Sequence, residues 1–238
     1  MKDTHKMDTT VFAPQDTPPI LVKNTDKIVS KLTDSEKKAI EAYTSEYGAG
    51  SYKDVNNLLR TGVNPNAGRG AAEKMTKDAA ENLKSGLGKA KLGVETYLFR
   101  GTSVEMFSDP KSRKAIEDAV KFVKNKKGVV KTPPKFMEDL NNIVGTTFVD
   151  RGAMSTSPYG GDFFRGAGVK MTIKTKKTDK ALDVRSLSAY GGKADNKLAF
   201  LGTTKLESEV LYAPGSSFKV VDVKLTSGGV NILVESNG

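Results

Sequence analysis

The periodicity of the sequence changes near residue 145, and this change limits the folds that the chain can adopt. Before Gly145, apolar residues recur at the spacing of amphipathic helices. After it come short runs rich in β-branched residues, several of them alternating with period two and separated by Gly and Ser. Helices followed by strands are typical of an α+β fold. They argue against the alternating units of a doubly wound, parallel nucleotide-binding sheet.

Local signals place individual elements within the two halves. Thr33 and Glu36 have the spacing of a capping box at a helix start. Ser51 starts a second helix, a third is predicted over about 71–84, and 86–93 is predicted to be a loop. The other predicted elements are helices over 111–125 and from Pro133, and the strands VETYLFR, TTFVDR, VKMTIK, KALDV, SEVLY, FKVVDVK and VNILVE.

The composition excludes several kinds of catalytic site. The 238 residues include no Cys and a single histidine, His5, in a polar N-terminal stretch. Disulfide scaffolds, thiolate metal sites and Cys nucleophiles are therefore excluded, and a Ser-His-Asp triad or a multi-histidine metal site is disfavoured. Lys and Arg number 38 against 28 Asp and Glu, a net charge of +10. This charge favours an acidic partner, whether nucleic acid, an acidic protein or a phosphate ligand.

Four short segments carry residues with the chemistry to bind a ligand. The first ends a predicted strand with Arg100 and Gly101, where a guanidinium can bind phosphate and a glycine backbone can approach a ligand. The second, Ser155-Thr156-Ser157, places three hydroxyls in a strand. Taken alone, each has a plain structural explanation: a solvated arginine at a strand end and an ordinary polar strand edge.

The other two segments lie later in the chain. Phe163, Phe164 and Arg165 stand between glycines and suit a ligand with a ring and a phosphate, although a surface loop with a buried Phe has the same pattern. Glu207 and Glu209 share one face of a predicted strand, about 7 Å apart. Two carboxylates there repel unless a cation or substrate lies between them. A solvated strand face is the alternative explanation.

In this order, the segments resemble the Arg/Ser-Thr-Ser/Glu-x-Glu class of arginine-specific mono-ADP-ribosyltransferases. They are similar to the clostridial binary-toxin and exoenzyme enzymes and their single-domain bacterial and bacteriophage relatives. The resemblance extends from about Leu32 to Val223 and rests on LTDSEKKAIEAYT, YKDVNNLLR, YLFRGT, GTTFVDRGAMSTSP and ESEVLYAPGSSFKV. It implies an ADP-ribosyltransferase-like α+β fold, with N-terminal helices packed on a core of two mainly antiparallel sheets.

The domain organisation follows from composition and from this resemblance. Residues 1–25 are polar, contain three prolines and lack periodicity, which predicts a flexible N-terminal arm. The rest, 26–238, is expected to form one ADP-ribosyltransferase catalytic domain with a helical half over about 26–145 and a strand-rich half over about 146–238. No apolar run reaches the length of a membrane span, and no secretory leader is visible. We therefore expect action in a host cytoplasm, as a bacteriophage enzyme or as a toxin without its delivery part.

The resemblance implies NAD as the substrate, without a metal, and assigns residue roles. Arg100 corresponds to the arginine that holds the NAD phosphates, and the backbone of Gly101 to the group that binds the nicotinamide amide. Ser155 corresponds to the serine that orients NAD and the catalytic glutamate. Glu209 resembles the glutamate that engages the nicotinamide ribose. Glu207 occupies the position that selects the acceptor, where Glu accompanies arginine targets and Gln accompanies asparagine targets.

Other contacts with NAD are implied by a helix, by the Ser-Thr-Ser strand and by a phosphate–nicotinamide loop: Asn56, Arg60, Thr156, Ser157, Phe163 or Phe164, and Arg165. Asn56 and Arg60 lie one helical turn apart and can reach one pocket. The segment at about 193–206 is similar to the acceptor-recognition loop of the family.

The implied activity is transfer of ADP-ribose from NAD to arginine side chains of a host protein, with some NAD hydrolysis. Actin, RNA polymerase, another transcription or translation protein, or a small GTPase is a candidate target. Such a protein would dock on lysines of the 111–127 helix and of 170–180. Nucleic acid is not required. Two alternatives stay open: an NAD glycohydrolase, which would need only one carboxylate, and a basic nucleic-acid-binding module, which the charge supports but no recognition motif does.

Overall fold

The computed structural model describes residues 19–107, 109–125, 133–158, 168–188 and 209–238. In these segments the helices are α1 Pro19–Val29, α2 Asp34–Tyr43, α3 Tyr52–Thr61, α4 Ala71–Gly88, α5 Pro110–Lys124 and α6 Pro134–Asn141, with a short 3-10 helix at Val104–Met106. The strands are β1 Tyr97–Thr102, β2 Thr147–Asp150, β3 Met154–Thr156, β4 Val169–Lys174, β5 Ala181–Asp183, β6 Val210–Tyr212, β7 Ser216–Thr226 and β8 Gly229–Ser236. None of the described helices is both long and apolar enough to cross a membrane.

The strands form two sheets of different size. The large sheet has the order β1-β4-β8-β7-β2, and the small sheet has the order β3-β6-β5. The pair β4–β8 is parallel, and the other described pairs are antiparallel. The predicted α+β class, with N-terminal helices and two mainly antiparallel sheets, is therefore confirmed.

The small sheet is buried on both faces, which gives the molecule three layers. One face packs against the large sheet, and the other packs against the helical layer formed by α2, α3 and α4. In β6, Val210 and Tyr212 belong to the core shared with the large sheet, whereas Leu211 belongs to the core shared with the helices. This alternation is what the period of a β-strand requires. Helices α5 and α6 pack on the large sheet.

The N-terminal boundary differs from the prediction. Helix α1 begins at Pro19, so residues 19–25, predicted as the end of a flexible arm, are helical. Leu21 is 1% exposed and joins the core of the large sheet, which ties this helix to the fold. Residues 1–18 lie outside the described residues, and the single-domain assignment for 26–238 stays a prediction.

The predicted loop after α4 is wrong for its first three residues. Residues 86–88 are the last turn of α4, and Leu87 is fully buried in the helical core. A Cβ atom added to Gly86 would lie 3.3 Å from the Cβ of Glu36 on α2. Glycine was expected to break the helix because it lacks a side chain, but here that lack lets two helices pack closely.

The predicted capping box at α2 is confirmed and extends into a wider network. The backbone N–H of Thr33 donates to Glu36 Oε2 at 2.9 Å, and the N–H of Glu36 donates to Thr33 Oγ1 at 3.3 Å. Ser85 and Lys89 of the α4 region also donate to the Glu36 carboxylate, each at 2.7 Å. Burial alone would raise the pKa of Glu36, but these donors lower it from 4.5 to about 2. Glu36 therefore joins α2 to α4 as an ionised carboxylate.

We expect Glu36→Gln to lower the free energy of unfolding at pH 7 by about 2 kcal/mol. The lowered pKa corresponds to roughly 3 kcal/mol, and the exposed side of Lys89 screens part of it. Because the folded pKa lies below the unfolded value, this stabilisation is complete above pH 4.5 and is lost as the pH falls towards 2. Urea denaturation between pH 2.5 and 7 measures the difference. Glu41→Gln, on the exposed face of α2, is the control, and a constant gap across this pH range would contradict the interpretation.

Candidate active site

The two sheets meet where β1 and β3 lie side by side. The backbones of Phe99 and Ser157 exchange two hydrogen bonds of 2.8 Å. Beside this bridge, Arg100 Nη1 donates to the carbonyl oxygen of Ser155 at 2.5 Å. Backbone pairing of the two sheets therefore brings the predicted arginine to the predicted serine.

Glu209 reaches the same place from the neighbouring strand. It directly precedes β6, which pairs with β3, and its carbonyl oxygen accepts a hydrogen bond from Val184 N at 2.9 Å. Its side chain lines a cavity of about 240 Å³ together with Arg100 and Ser155. The other residues that line this cavity are Tyr43, Thr44, Glu46, Tyr52 and Asn56. Three of the four predicted catalytic residues thus face one cavity.

Arg100 is poorly compensated within the protein. Burial lowers its pKa, an effect that the negative charges of Asp150 and Glu209 oppose. Its Nε atom is buried, and none of the described residues accepts a hydrogen bond from it. Removing a guanidinium from water without full pairing is costly, so an anionic ligand beside Arg100 would be stabilising.

A second cavity, of about 340 Å³, also has Arg100 in its lining. Arg60, Gly101 and Asp150 line it, together with Thr102, Ser103, Glu105 and Met106. Arg60 donates through Nε and Nη2 to the two oxygens of Asp150, both at 2.9 Å. Burial lowers the pKa of Arg60, but the hydrogen bond and charge of Asp150 raise it above the usual value. Much of the charge of Arg60 is therefore compensated before any ligand binds.

Asn56 and Tyr43 position the start of β3. Asn56 Oδ1 accepts from the N–H of Ala153 at 2.9 Å, and its Nδ2 donates to the Ala153 carbonyl at 3.1 Å and to Tyr43 Oη at 2.8 Å. Tyr43 donates to the same carbonyl at 2.8 Å. Burial raises the pKa of Tyr43 well above its usual value, so the hydroxyl keeps its proton. These bonds fix the backbone two residues before Ser155.

The chain matches the family model of the ADP-ribosyltransferase exoenzymes over residues 22–237. It belongs to this family. The predicted resemblance is confirmed at this level, and a comparison with curated protein sequences gives no match. NAD is the substrate of ADP-ribosyltransferase exoenzymes, which mono-ADP-ribosylate protein targets.

Solved structures show the same fold in this exoenzyme family. Plx2a, an ADP-ribosyltransferase toxin from Paenibacillus larvae, has a TM-score of 0.65 at 22% identity, covering 92% of this chain and 94% of that chain. The C3 exoenzyme of Clostridium limosum has a TM-score of 0.64 at 20% identity, with coverages of 96% and 98%. C3stau2 from S. aureus, solved with NAD, has a TM-score of 0.60 at 18% identity, with coverages of 96% and 98%.

Within this exoenzyme fold, the remaining predicted site residues have different surroundings. Thr156 Oγ1 donates to the carbonyl of Val210 at 2.7 Å and so ties β3 to β6, while Ser157 forms the bridge to β1. Among the described residues, no group of three or more His, Cys, Asp or Glu side chains could hold a metal ion. Four predicted residues lie outside the described residues: Phe163, Phe164, Arg165 and Glu207. All the proposed contacts with NAD stay predictions.

Sequence reasoning missed three residues that hold this exoenzyme site together: Tyr43, Asp150 and Gly152. Asp150 and Gly152 stand inside the quoted segment GTTFVDRGAMSTSP, but neither was assigned a role. A Cβ atom on Gly152 would lie 2.5 Å from Asn56 Oδ1 and 2.7 Å from Arg60 Nε. Glycine is therefore needed where α3 approaches the turn before β3.

We expect Gly152→Ala to destabilise the protein by about 1–3 kcal/mol, because the new methyl group overlaps α3. NAD cleavage should fall about tenfold, since Arg60 and Asn56 are displaced together. Thermal unfolding and nicotinamide release measure the two effects. Gly88→Ala is the matched control, because a Cβ there meets nothing within 4 Å. Equal behaviour of the two variants would show that the close approach has no consequence.

Asp150→Asn should destabilise the fold by about 1–3 kcal/mol, because Arg60 would keep its charge without a counter-ion. The side chain of Arg60 is 39% exposed, so solvent screens part of its charge and reduces the expected loss of stability. The test is a double-mutant cycle with Arg60→Ala in urea denaturation. The two losses should not add, and strict additivity would argue against the pair.

Proposed function

We propose that this exoenzyme transfers ADP-ribose from NAD to an arginine side chain of a target protein. The observation that supports the proposal is the single cavity shared by Arg100, Ser155 and Glu209. A cation suited to the pyrophosphate and a carboxylate suited to the ribose stand on its walls. Glu207, two residues before Glu209, supplies the second carboxylate in the sequence.

The first step breaks the bond between nicotinamide and the ribose C1′. The bond electrons leave with the ring nitrogen, which converts the cationic nicotinamide into a neutral leaving group. Positive charge then develops on the ribose, as in glycoside cleavage. Glu209 stabilises this charge and binds a ribose hydroxyl, which is a preorganised electrostatic effect. Ser155 would orient both partners.

The second step forms a new bond from the acceptor to C1′. The guanidinium of arginine is a poor nucleophile because it stays protonated. Glu207 would bind and orient it, and would accept one of its protons as the nitrogen attacks. When water takes the place of the acceptor, the products are ADP-ribose and nicotinamide. This accounts for a side activity as an NAD glycohydrolase.

The arginines would hold the pyrophosphate while the sugar reacts. Arg100 is the main candidate, because its charge is incompletely compensated and it faces both cavities. Arg60 keeps N–H groups that do not contact Asp150, and Arg165 would add a third cation. Fixing the phosphates limits the motion of the ribose relative to Glu209.

The target protein would carry an acidic surface beside the acceptor arginine, since the chain has a net charge of +10. On helix α5 two lysines already have acidic partners, because Lys114 pairs with Asp118 at 2.8 Å and Lys121 lies 3.9 Å from Glu117. By resemblance to the family, the candidate targets are actin, RNA polymerase, another transcription or translation protein, and a small GTPase.

Two substitutions test the proposal. Glu209→Gln should lower both transfer and NAD cleavage by about 10³-fold or more, because it removes the charge that stabilises the ribose cation. Glu207→Gln should lose transfer but keep part of the NAD cleavage. Nicotinamide release and labelled-NAD transfer in lysates measure the two activities, and mass spectrometry identifies the modified residue.

The control is Glu81→Gln, a glutamate on the exposed face of α4, which should retain both activities. Full transfer by the Glu209 variant would refute the mechanism. Modification of a residue other than arginine would refute the acceptor assignment. Label found only in free ADP-ribose would favour a glycohydrolase instead.

A further inference from the structure

A carboxylate from the helical half lines the cavity that contains Glu209. Glu46 stands in the loop between α2 and α3, and it lines the same cavity of about 240 Å³. Its side chain is also exposed. A residue that both lines a cavity and is exposed lies where the cavity opens to solvent. A molecule that enters the cavity on this side therefore passes the carboxylate of Glu46.

The charges on the walls of this cavity suit an anion at one point and a cation at another. Among the described residues that line it, Arg100 carries a positive charge, and Glu46 and Glu209 carry negative charges. The proposed function places the pyrophosphate at Arg100 and the nicotinamide ribose at Glu209. A second carboxylate repels phosphate groups and attracts a cation. Glu46 is therefore suited to a positively charged part of the reactants.

Two cations take part in the proposed reaction, the nicotinamide ring and the guanidinium of the acceptor. The ring loses its charge as its bond to ribose breaks, so a carboxylate beside the ring would favour the substrate over the transition state. The guanidinium stays protonated until it attacks, and it arrives from solvent, where Glu46 is exposed. We propose that Glu46 binds the acceptor guanidinium at the opening of the cavity and directs it towards the ribose. This inference rests on the proposed function, which makes arginine the acceptor.

The surroundings of Glu46 suit an arginine that belongs to a protein. Ser45 Oγ accepts a hydrogen bond from the N–H of Tyr47 at 3.3 Å and donates to the carbonyl oxygen of Tyr47 at 3.2 Å. These bonds join the residues on either side of Glu46 and so limit the directions of its side chain. Tyr47 is 79% exposed, and Tyr52, which lines the cavity, is 39% exposed. Exposed aromatic rings stack on guanidinium groups and are enriched in protein–protein interfaces.

The experiment compares ADP-ribose transfer with NAD hydrolysis, with agmatine as a small acceptor that carries a guanidinium. Glu46→Gln should lower the ratio of kcat/KM for transfer to kcat/KM for hydrolysis by about fivefold, through a higher KM for agmatine, because an exposed charge pair is lost. Glu46→Lys should lower the ratio further, since its charge repels the guanidinium. Added salt should reduce both differences. Glu41→Gln, on the exposed face of α2, is the matched control and should keep the ratio.

The outcomes separate this inference from the proposed function. An unchanged ratio in both Glu46 variants would overturn the inference, whether agmatine or a labelled lysate protein is the acceptor. An increase in the KM for NAD that is equal in transfer and hydrolysis would also overturn it, because Glu46 would then act on the dinucleotide. The proposed function fails differently: the unsubstituted protein would transfer ADP-ribose neither to agmatine nor to an arginine of any lysate protein. The inference would then fall with it.

Discussion

The position of β3 depends on hydrogen bonds that come from the helical layer. Tyr43 and Asn56 bind both backbone groups of Ala153, and Arg60 binds the carboxylate of Asp150 just before the turn. A shift of this turn would move the Ser155 carbonyl away from Arg100. The helices therefore determine the geometry of a cavity whose proposed reacting carboxylate, Glu209, belongs to the strand-rich half.

Charge is distributed unevenly across this cleft. Arg60 and Arg100 both line the larger of these two cavities. Their positive charges repel, so each makes the charged form of the other less favourable. Asp150 compensates Arg60 directly, but Arg100 receives only partial help from more distant groups. The free protein thus keeps one arginine incompletely compensated in the place where a dinucleotide would bring its two phosphate charges. An anionic group bound beside Arg100 would be stabilised by this incompletely compensated charge.

Local patterns predicted local structure well, and contacts between distant segments were harder to foresee. The capping box of Thr33 and Glu36 depends on residues three positions apart, and it is present as predicted. The end of α4 was missed because the packing of Gly86 against Glu36 outweighs the helix-breaking tendency of glycine. Nothing in the local sequence marks this contact.

In the candidate site, too, motifs that follow one another along the chain were easier to predict than contacts between distant segments. Arg100, Ser155 and Glu209 were found from the order of their motifs, and they do line one cavity. Asp150 and Gly152 matter because α3 approaches them from about 90 residues earlier in the chain.

The two hydrogen bonds between Phe99 and Ser157 extend this point. They join the two sheets at this edge through backbone atoms alone, so this contact does not depend on the identity of a side chain. A cleft held in this way can persist in relatives that share only about 20% of their residues with this chain.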